Sequence, residues 1–266
     1  MVSVSPSTSP ALWPALSRSA PLLVFDFDGV LVDGMAEYWW SARRAALRLD
    51  PSLVLPEQAP AVFVRLRPQI HKGWEMVLIA SGLDHFGSEP LSPAEYERRL
   101  QAALALRGWS PLELQQVLEQ VRREAIASDA AAWLGRHRFF PGVEQRLRSL
   151  AAEGVSWVVL TTKGGAFAER LLASAGLQPL ALYGHEQGSK PEVLLRLLRQ
   201  HSQPLWFLED RRPTLELVRA TPGLEPVRCF LVAWGYLAAS DAEGLPERGI
   251  HWLEHDRFLA PLAQWP

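Results

Sequence analysis

Short apolar runs closed by turn residues recur along this chain of 266 residues, at 22–27, 156–161, 204–209 and 228–234. Runs of this kind predict buried strands. Amphipathic helical patterns lie near 142–153, 165–176, 190–201 and 213–221, and a weaker strand pattern lies at 180–183. Strands that alternate with helices of this length need crossover connections. The sequence therefore predicts an α/β fold with a doubly wound, Rossmann-like parallel sheet.

A long stretch after the first strand breaks this alternation. Residues 35–138 carry apolar residues at spacings of three and four, and Ser110-Pro111 marks a helix start. We predict an inserted α-helical domain over 35–138, within a core formed by residues 21–34 and 139–266.

The composition limits the partners and the location that we expect. The formal net charge is −2 and no apolar run could span a membrane, so we expect neither a nucleic-acid nor a membrane partner. The single cysteine, Cys229, excludes a disulfide framework and favours a reducing compartment, which we take to be the cytoplasm. Residues 1–20 are rich in Ser, Pro and Ala, and we predict a disordered tail there rather than a transit peptide.

Polar residues follow the predicted strands at the points where the strands end. In an open parallel sheet, ligands bind beyond these carboxyl ends, so the topology should gather such residues at one edge. They are Asp26, Asp28 and Gly29 after the first strand, Thr161 and Thr162 after the second, Lys190 beyond the weak strand, and Glu209 and Asp210 after the run at 204–209.

Four of these residues are acids, and four carboxylates at one edge would repel one another. At least one would have to take up a proton unless a cation compensates the charge. Oxygen ligands without His or Cys favour Mg²⁺ over Zn²⁺. Thr161, Lys190 and the Gly-rich turn that opens a helix at Gly164-Gly165 suit the oxygens of a phosphate. The set therefore indicates a phosphoryl-transfer site.

Four ordered motifs resemble those of the haloacid dehalogenase (HAD) superfamily, in the branch that carries a helical cap after the first motif. FDFDGVLVD resembles the first motif, VVLTTKG the second, SKPE the third and FLEDRRPTLE the fourth. The resemblance covers about 22–34 and 139–235, and it is to members like phosphoglycolate phosphatase and beta-phosphoglucomutase. It implies that residues 35–138 form the cap and that Mg²⁺ is the cofactor.

The resemblance also implies roles for the acids. Asp26 would be the nucleophile that forms an aspartyl-phosphate. Asp28 would act as general acid and then as general base, a role that calls for a raised pKa. The metal ligands would be Asp26, Asp210, the backbone carbonyl of Asp28, and Glu209 directly or through a water.

The phosphate would be held by the second and third motifs. The resemblance implies that Thr161 hydrogen-bonds the phosphoryl group, with Thr162 and Gly29 close by, and that Lys190 links the nucleophile to the phosphate. A cation at a helix start is unfavourable for the helix dipole, so Lys190 should have a carboxylate or phosphate partner. Lys163, in contrast, is predicted to be a solvated loop residue.

The stretch RLRPQIHKGWEM supplies the candidate specificity residues of the insertion. A helix that starts at Pro68 would place His71 and Glu75 on one face. Arg67, His71 and Lys72 are candidates to bind the anionic or hydroxyl groups of a substrate. The alternative is a solvated helix end.

Other assignments for single residues also stay open. Glu209 and Asp210 could instead be an N-cap pair for the following helix. We expect Asp33 to shape a turn and Cys229 to be buried and inert.

The departures from the family pattern decide between activities. Thr162 stands where relatives often carry Asn, and Thr214 stands where they often carry an acid. The insertion has no His before His71, which counts against a sugar-phosphate mutase, and Asp28 counts against a true dehalogenase. We predict an Mg²⁺-dependent phosphatase that acts on a small phosphorylated metabolite. The alternatives are a mutase and a catalytically idle HAD-like binding or regulatory protein.

Overall fold

The protein is described here from a computed structural model, which covers residues 20–87 and 89–266. Its central feature is a six-stranded sheet of order β5-β4-β1-β6-β7-β8 in which every pair of neighbours is parallel. These strands are β1 Leu22–Phe25, β4 Trp157–Leu160, β5 Ala181–Tyr183, β6 Leu205–Glu209, β7 Arg228–Val232 and β8 Ile250–Leu253. The predicted α/β fold is confirmed, whereas β8 was not predicted.

The central strand shows why these apolar runs become strands. All four residues of β1 are fully buried, because hydrophobic clusters cover both faces of the sheet. A strand buried on both faces reads as a continuous apolar run rather than as an alternating one. Helices outside the insertion supply the covering layers: α7 Val143–Ser149, α8 Gly165–Ser174, α9 Lys190–Gln200, α10 Arg212–Ala220 and α11 His255–Leu259.

The insertion is helical, as predicted. Its helices are α1 Met35–Leu49, α2 Ala61–Leu66, α3 Gly73–Ser81, α4 Leu83–Phe86, α5 Pro93–Arg107 and α6 Pro111–Leu134. They enclose a hydrophobic cluster of their own, in which α1 packs against α3 and α6. We call this unit the cap. Ser110 caps α6 and accepts a hydrogen bond from the Glu113 backbone N–H, so the predicted helix start is confirmed.

The chain leaves the core and returns to it side by side. The two crossings form a short antiparallel pair of β2, Val32–Asp33, with β3, Arg138–Phe139. Helix α6 has non-helical backbone angles at Asp129, whose carboxylate accepts a hydrogen bond from the Ala132 N–H at 2.9 Å. Beyond this kink, Trp133 is fully buried in the hydrophobic cluster of the core.

The predicted tail, 1–20, lies outside the described residues except for Ala20. No helix in the described ranges is long and apolar enough to cross a membrane.

The predicted helix start at Pro68 is wrong, because Pro68 lies in a short 3-10 turn and α3 begins at Gly73, after His71. Glu75 instead accepts the His71 backbone N–H at 3.0 Å.

Candidate active site

Three acids from two neighbouring strands meet at the carboxyl edge of the sheet. Asp26 follows β1, Glu209 ends β6, and Asp210 comes next. One carboxylate oxygen from each lies within 4.8 Å of the others, and all three side chains are buried. We call these three residues the acidic cluster. The expected gathering at the strand ends is found for this set.

Lys190 lies between two members of the acidic cluster. Its Nζ is 2.7 Å from Asp26 Oδ1 and 2.6 Å from Glu209 Oε2. Although burial alone would lower the pKa of Lys190, the two carboxylates outweigh it and raise that pKa. The expectation of a carboxylate partner for Lys190 is therefore confirmed. The capping role at the start of α9 falls to Ser189, not to the lysine.

The acidic cluster carries more negative charge than Lys190 can balance. Burial, and then the charge of Glu209, raise the pKa of Asp26 to about 7. Burial likewise raises the pKa of Asp210 to about 6, with Asp26 adding to the shift, and burial raises the pKa of Glu209. Buried oxygen donors with surplus negative charge suit a hard divalent cation such as Mg²⁺. Only acidic groups supply this set, so the donor chemistry fits that cofactor.

Asp28 lies in a different environment from the other acids. Its Oδ1 accepts a hydrogen bond from the Tyr38 hydroxyl at 2.5 Å and another from Lys163 Nζ at 3.2 Å. Burial would raise the pKa of Asp28, but Lys163 and Tyr38 outweigh burial and lower it. The expected raised pKa at Asp28 is therefore wrong for this arrangement; the raised values belong to the acidic cluster.

Lys163 is also not the solvated residue that the sequence predicted. It is only 5% exposed and pairs with Asp28 across 135 residues of sequence. Its backbone N–H donates to Thr161 Oγ1 at 3.0 Å. Thr161 is buried, whereas Thr162 is exposed and donates a long hydrogen bond of 3.4 Å to the His71 carbonyl of the cap.

Gly29 lies against Asp210. Its φ of +91° favours glycine, and a Cβ there would come within 1.9 Å of Asp210 Oδ2. The structure therefore requires glycine at this position for the close approach of Asp210. The expected phosphate contact of Gly29 stays a prediction.

Tyr236 is a site residue that sequence reasoning missed. Its backbone N–H donates to Asp210 Oδ2 at 2.8 Å, and its hydroxyl donates to Asp33 Oδ1 at 2.5 Å. Asp33 also accepts the Met35 N–H at 3.0 Å, in agreement with its expected turn role. Tyr236 lies two residues beyond the end of the predicted strand at 228–234. A polar residue just beyond the end of a predicted parallel strand is the sequence signal that identifies it.

The candidate residues of the cap face this site from the other side. The Arg67 guanidinium lies 4.2 Å from the ring centroid of Tyr236 and 5.1 Å from that of Tyr38. It is therefore half-buried between aromatic rings and is not part of a solvated helix end. Burial, with Arg211 next, lowers the pKa of His71 to about 3, so His71 is neutral at pH 7. Lys72 is exposed.

A second buried charged group joins α1 to α6. Both oxygens of Glu37 accept from the Arg122 guanidinium, at 2.8 and 2.7 Å. Ser41 also donates to Glu37, and Trp133 Nε1 donates to it at 3.3 Å. Although burial would raise the pKa of Glu37, Arg122 outweighs it and holds that pKa far below the usual range. We call this set the Glu37 cluster; no sequence signal pointed to it.

The comparison with protein-family models agrees with this geometry. The model described as haloacid dehalogenase-like hydrolase matches residues 21–211, which include every residue of the acidic cluster. The chain belongs to this family of hydrolases. The protein is therefore a HAD-like hydrolase, with the family's α/β fold and a helical cap.

Solved structures share the fold at low sequence identity. A predicted phosphatase from Clostridium acetobutylicum aligns with a TM-score of 0.57 and 16% identity, covering 89% of this chain and 94% of its own. A predicted phosphoglycolate phosphatase from Haemophilus somnus aligns with a TM-score of 0.55 and 15% identity, covering 84% of this chain and 91% of its own. A candidate beta-phosphoglucomutase from Thermotoga maritima aligns with a TM-score of 0.52 and 17% identity, covering 90% of this chain and 96% of its own. No protein with a curated description matches the chain.

Proposed function

We propose that this HAD-like hydrolase is an Mg²⁺-dependent phosphatase that cleaves a small phosphate monoester through an aspartyl-phosphate on Asp26. The acidic cluster with Lys190 is the observation that carries the proposal. It combines a buried carboxylate nucleophile, a lysine at 2.7 Å from it, and two further carboxylates for a divalent cation. Such an arrangement suits the transfer of an anionic phosphoryl group, because positive charge must offset the repulsion between two anions.

The acidic cluster would hold Mg²⁺ through Asp26, Asp210 and Glu209, together with the backbone carbonyl of Asp28. When bound, the cation would supply positive charge next to the phosphoryl oxygens. Lys190 would contribute a second positive charge beside Asp26. Thr161 and the backbone amide of Thr162 would donate hydrogen bonds to the remaining phosphoryl oxygens, with Gly29 close by. Arg67, His71 and Lys72 would contact the substrate from the cap.

The chemistry of this chain's residues would take two displacement steps. In the first, an Asp26 carboxylate oxygen bonds to phosphorus while the bond to the ester oxygen breaks, and Asp28 gives that oxygen a proton. In the second, Asp28 takes a proton from a water whose oxygen attacks phosphorus. The acyl-phosphate bond then breaks and Asp26 is regenerated as a carboxylate.

The environment of Asp28 bears on both steps. Lys163 and Tyr38 keep it ionised at neutral pH, which suits the base of the second step. A phosphate dianion at the site would raise the pKa of Asp28 through like-charge repulsion, which favours the protonated form needed in the first step.

Two alternatives find less support. A sugar-phosphate mutase of this family would use a His early in the cap, whereas here Tyr38 contacts Asp28 and the first His is His71. An idle binding or regulatory protein would not need a nucleophile, a lysine and metal ligands together in one buried cluster.

The lone, buried Cys229 supports a reducing compartment, which we propose to be the cytoplasm.

Phosphate release from a panel of phosphorylated metabolites tests the proposal. We expect release with added Mg²⁺, its loss in excess EDTA, and a fall of at least about a thousandfold in kcat for Asp26→Asn because the nucleophile is gone. Asp84→Asn, at an exposed position of α4, is the matched control and should keep wild-type turnover. Full turnover in Asp26→Asn, or with the metal ion chelated, would exclude this mechanism.

A further inference from the structure

A cavity of about 460 Å³ opens beside the proposed phosphate site, between the cap and the core. Thr161 and Lys190 are among its lining residues, so the cavity adjoins the groups to which we assign the phosphate. Sites for drug-sized ligands span roughly 300–1,000 Å³. The cavity therefore has room for a leaving group much larger than a two-carbon acid.

Apolar side chains from three helices line this cavity. They are Trp74 on α3, Pro191 on α9, and Pro213 and Leu217 on α10. Leu217 is 55% exposed and Trp74 is only partly buried. Because the protein leaves this apolar surface uncovered, a ligand that buried it would gain about 25 cal/mol for each Å² removed from water.

The polar part of the lining consists of neutral and positively charged side chains. No Asp or Glu of the described residues lines the cavity, and Gln115 offers the single side-chain amide there. The uncovered apolar surface, and not a shortage of hydrogen-bond partners, therefore favours a ring, because the other polar side chains of the lining are His71, Lys72, Thr161, Thr162, His185, Ser189, Lys190, Arg211 and Thr214. Nε of Arg211 is buried and, within the described chain, has no hydrogen-bond partner. It leaves room for one acceptor beside an otherwise apolar group.

We propose that this cavity, the Trp74 cavity, binds a planar and mainly apolar ring carried by the leaving alcohol. The substrate class is then a phosphomonoester whose alcohol bears an aromatic ring system, as opposed to a two-carbon acid or a hexose. The proposal rests on the phosphatase function and narrows its substrate. The ring lies against Trp74 and Leu217 while the phosphate lies against Lys190 and Thr161.

Two matched pairs of esters test the proposal with the Mg²⁺-loaded full chain. The first is 2-phenylethyl phosphate against ethyl phosphate, and the second is adenosine 5′-monophosphate against ribose 5-phosphate. Within each pair the reacting primary ester is the same and only the ring differs. We expect the ring to raise kcat/KM at least about tenfold in one pair, since burying one aromatic face is worth more than the 1.4 kcal/mol that a factor of ten requires. The pair that responds distinguishes a carbocyclic ring from a nucleobase.

Variants of the cavity connect this preference to its residues. Trp74→Ala should bring the kcat/KM ratio within the responding pair close to one, and Leu217→Ala should lower it by about threefold, in proportion to the smaller apolar area lost. Trp74→Phe, which keeps an aromatic ring, should retain most of the preference and guards against a misfolded alanine variant.

The matched controls are Trp40→Ala and Leu112→Ala. Trp40 lies in a different surface cavity, beside Arg44 and Arg136, and Leu112 is 68% exposed outside the Trp74 cavity. Both should keep the wild-type ratio. An equal or greater kcat/KM for the ring-free esters, or an unchanged ratio in folded Trp74→Ala, overturns the inference while leaving the phosphatase intact. Absence of phosphate release from every ester overturns the phosphatase, and with it the leaving group named here.

Discussion

The acidic cluster and the Glu37 cluster are both buried groups of charge, yet their ionisation is shifted in opposite directions. The pKa values of Asp26 and Asp210 rise to about 7 and about 6, whereas that of Glu37 falls far below its usual range. Both shifts occur under full burial, so burial alone does not distinguish them. The two clusters differ in how many hydrogen-bond and charge partners the chain provides for their carboxylates.

Glu37 has a complete set of partners within the chain. Arg122 binds both its oxygens, and Ser41 and Trp133 donate to one of them. In the acidic cluster, Asp26 and Glu209 instead share the charge of Lys190, and the cation that acts on Asp210 is Arg67. A buried charge that is balanced internally serves the fold, whereas a buried surplus of one sign indicates a site that a ligand completes.

The largest effect on stability should come from breaking the balanced cluster. Glu37→Gln leaves the Arg122 charge buried and unpaired, and we expect the free energy of unfolding to fall by about 3–5 kcal/mol. Urea denaturation measures this change. The double variant Glu37→Leu with Arg122→Met should recover much of the loss. Glu124→Gln, which breaks the exposed pair with Arg48, is the matched control and should change little. An unchanged free energy of unfolding in Glu37→Gln would mean that the Glu37 cluster does not stabilise the fold.

Ligand-linked stability should distinguish the other cluster. If Mg²⁺ completes the acidic cluster, the free energy of unfolding should rise by about 2.7 kcal/mol at a concentration one hundred times the Kd. Thermal unfolding with and without Mg²⁺ measures the shift. Asp210→Asn should abolish it, while Glu37→Gln should keep it despite a lower starting Tm. Loss of the shift in both variants, or in neither, would contradict the division between the clusters.

The smallest effects should appear in the pH dependence of stability, measured in EDTA. Asp26 and Asp210 have native pKa values raised above their ordinary 3.8, so the native state holds protons that the unfolded chain has released. Their contribution should therefore make the protein less stable as the pH rises from about 4 to about 7. Asp26→Asn should flatten this part of the profile.

Glu37 should have the opposite dependence. Its native pKa lies below the ordinary 4.5, so its stabilising contribution is complete above that value and is lost as the pH falls toward the native pKa. Glu37→Gln should flatten the acid part of the profile and leave the neutral part unchanged. Urea midpoints at a series of pH values would reveal the two regions. A single common slope for both variants would be inconsistent with the shifts described above.

Local patterns were sufficient for the fold and for the acids at the strand ends. The apolar composition of runs such as LLVF predicts buried strands. The parallel topology then brings Asp26, Glu209 and Asp210 to one edge of the sheet. Strands β2 and β3 were missed because two residues carry no periodicity, and β8 was missed because His251 interrupts its apolar run and its two middle residues are only partly buried. The domain limits at 34/35 and 138/139 and the catalytic roles stay predictions.

Long-range pairs could not be read from the sequence. Lys163 looked solvated because its partner Asp28 lies 135 positions away, and Glu37 and Arg122 are 85 positions apart. A charged residue on an amphipathic helix gives no local sign that it will be buried against a partner. The direction of the Asp28 pKa shift was missed for the same reason, since it depends on Tyr38 and Lys163.

The kink at Asp129 has a consequence for dissecting the protein into fragments. Helix α6 begins within the hydrophobic cluster of the cap, yet Trp133, beyond the kink, is buried in that of the core. A cap fragment cut after residue 138 would carry this tryptophan into water and leave a hole among the core residues that surround it. A cap fragment that ends near Asp129 would leave Trp133 with its neighbours in the core.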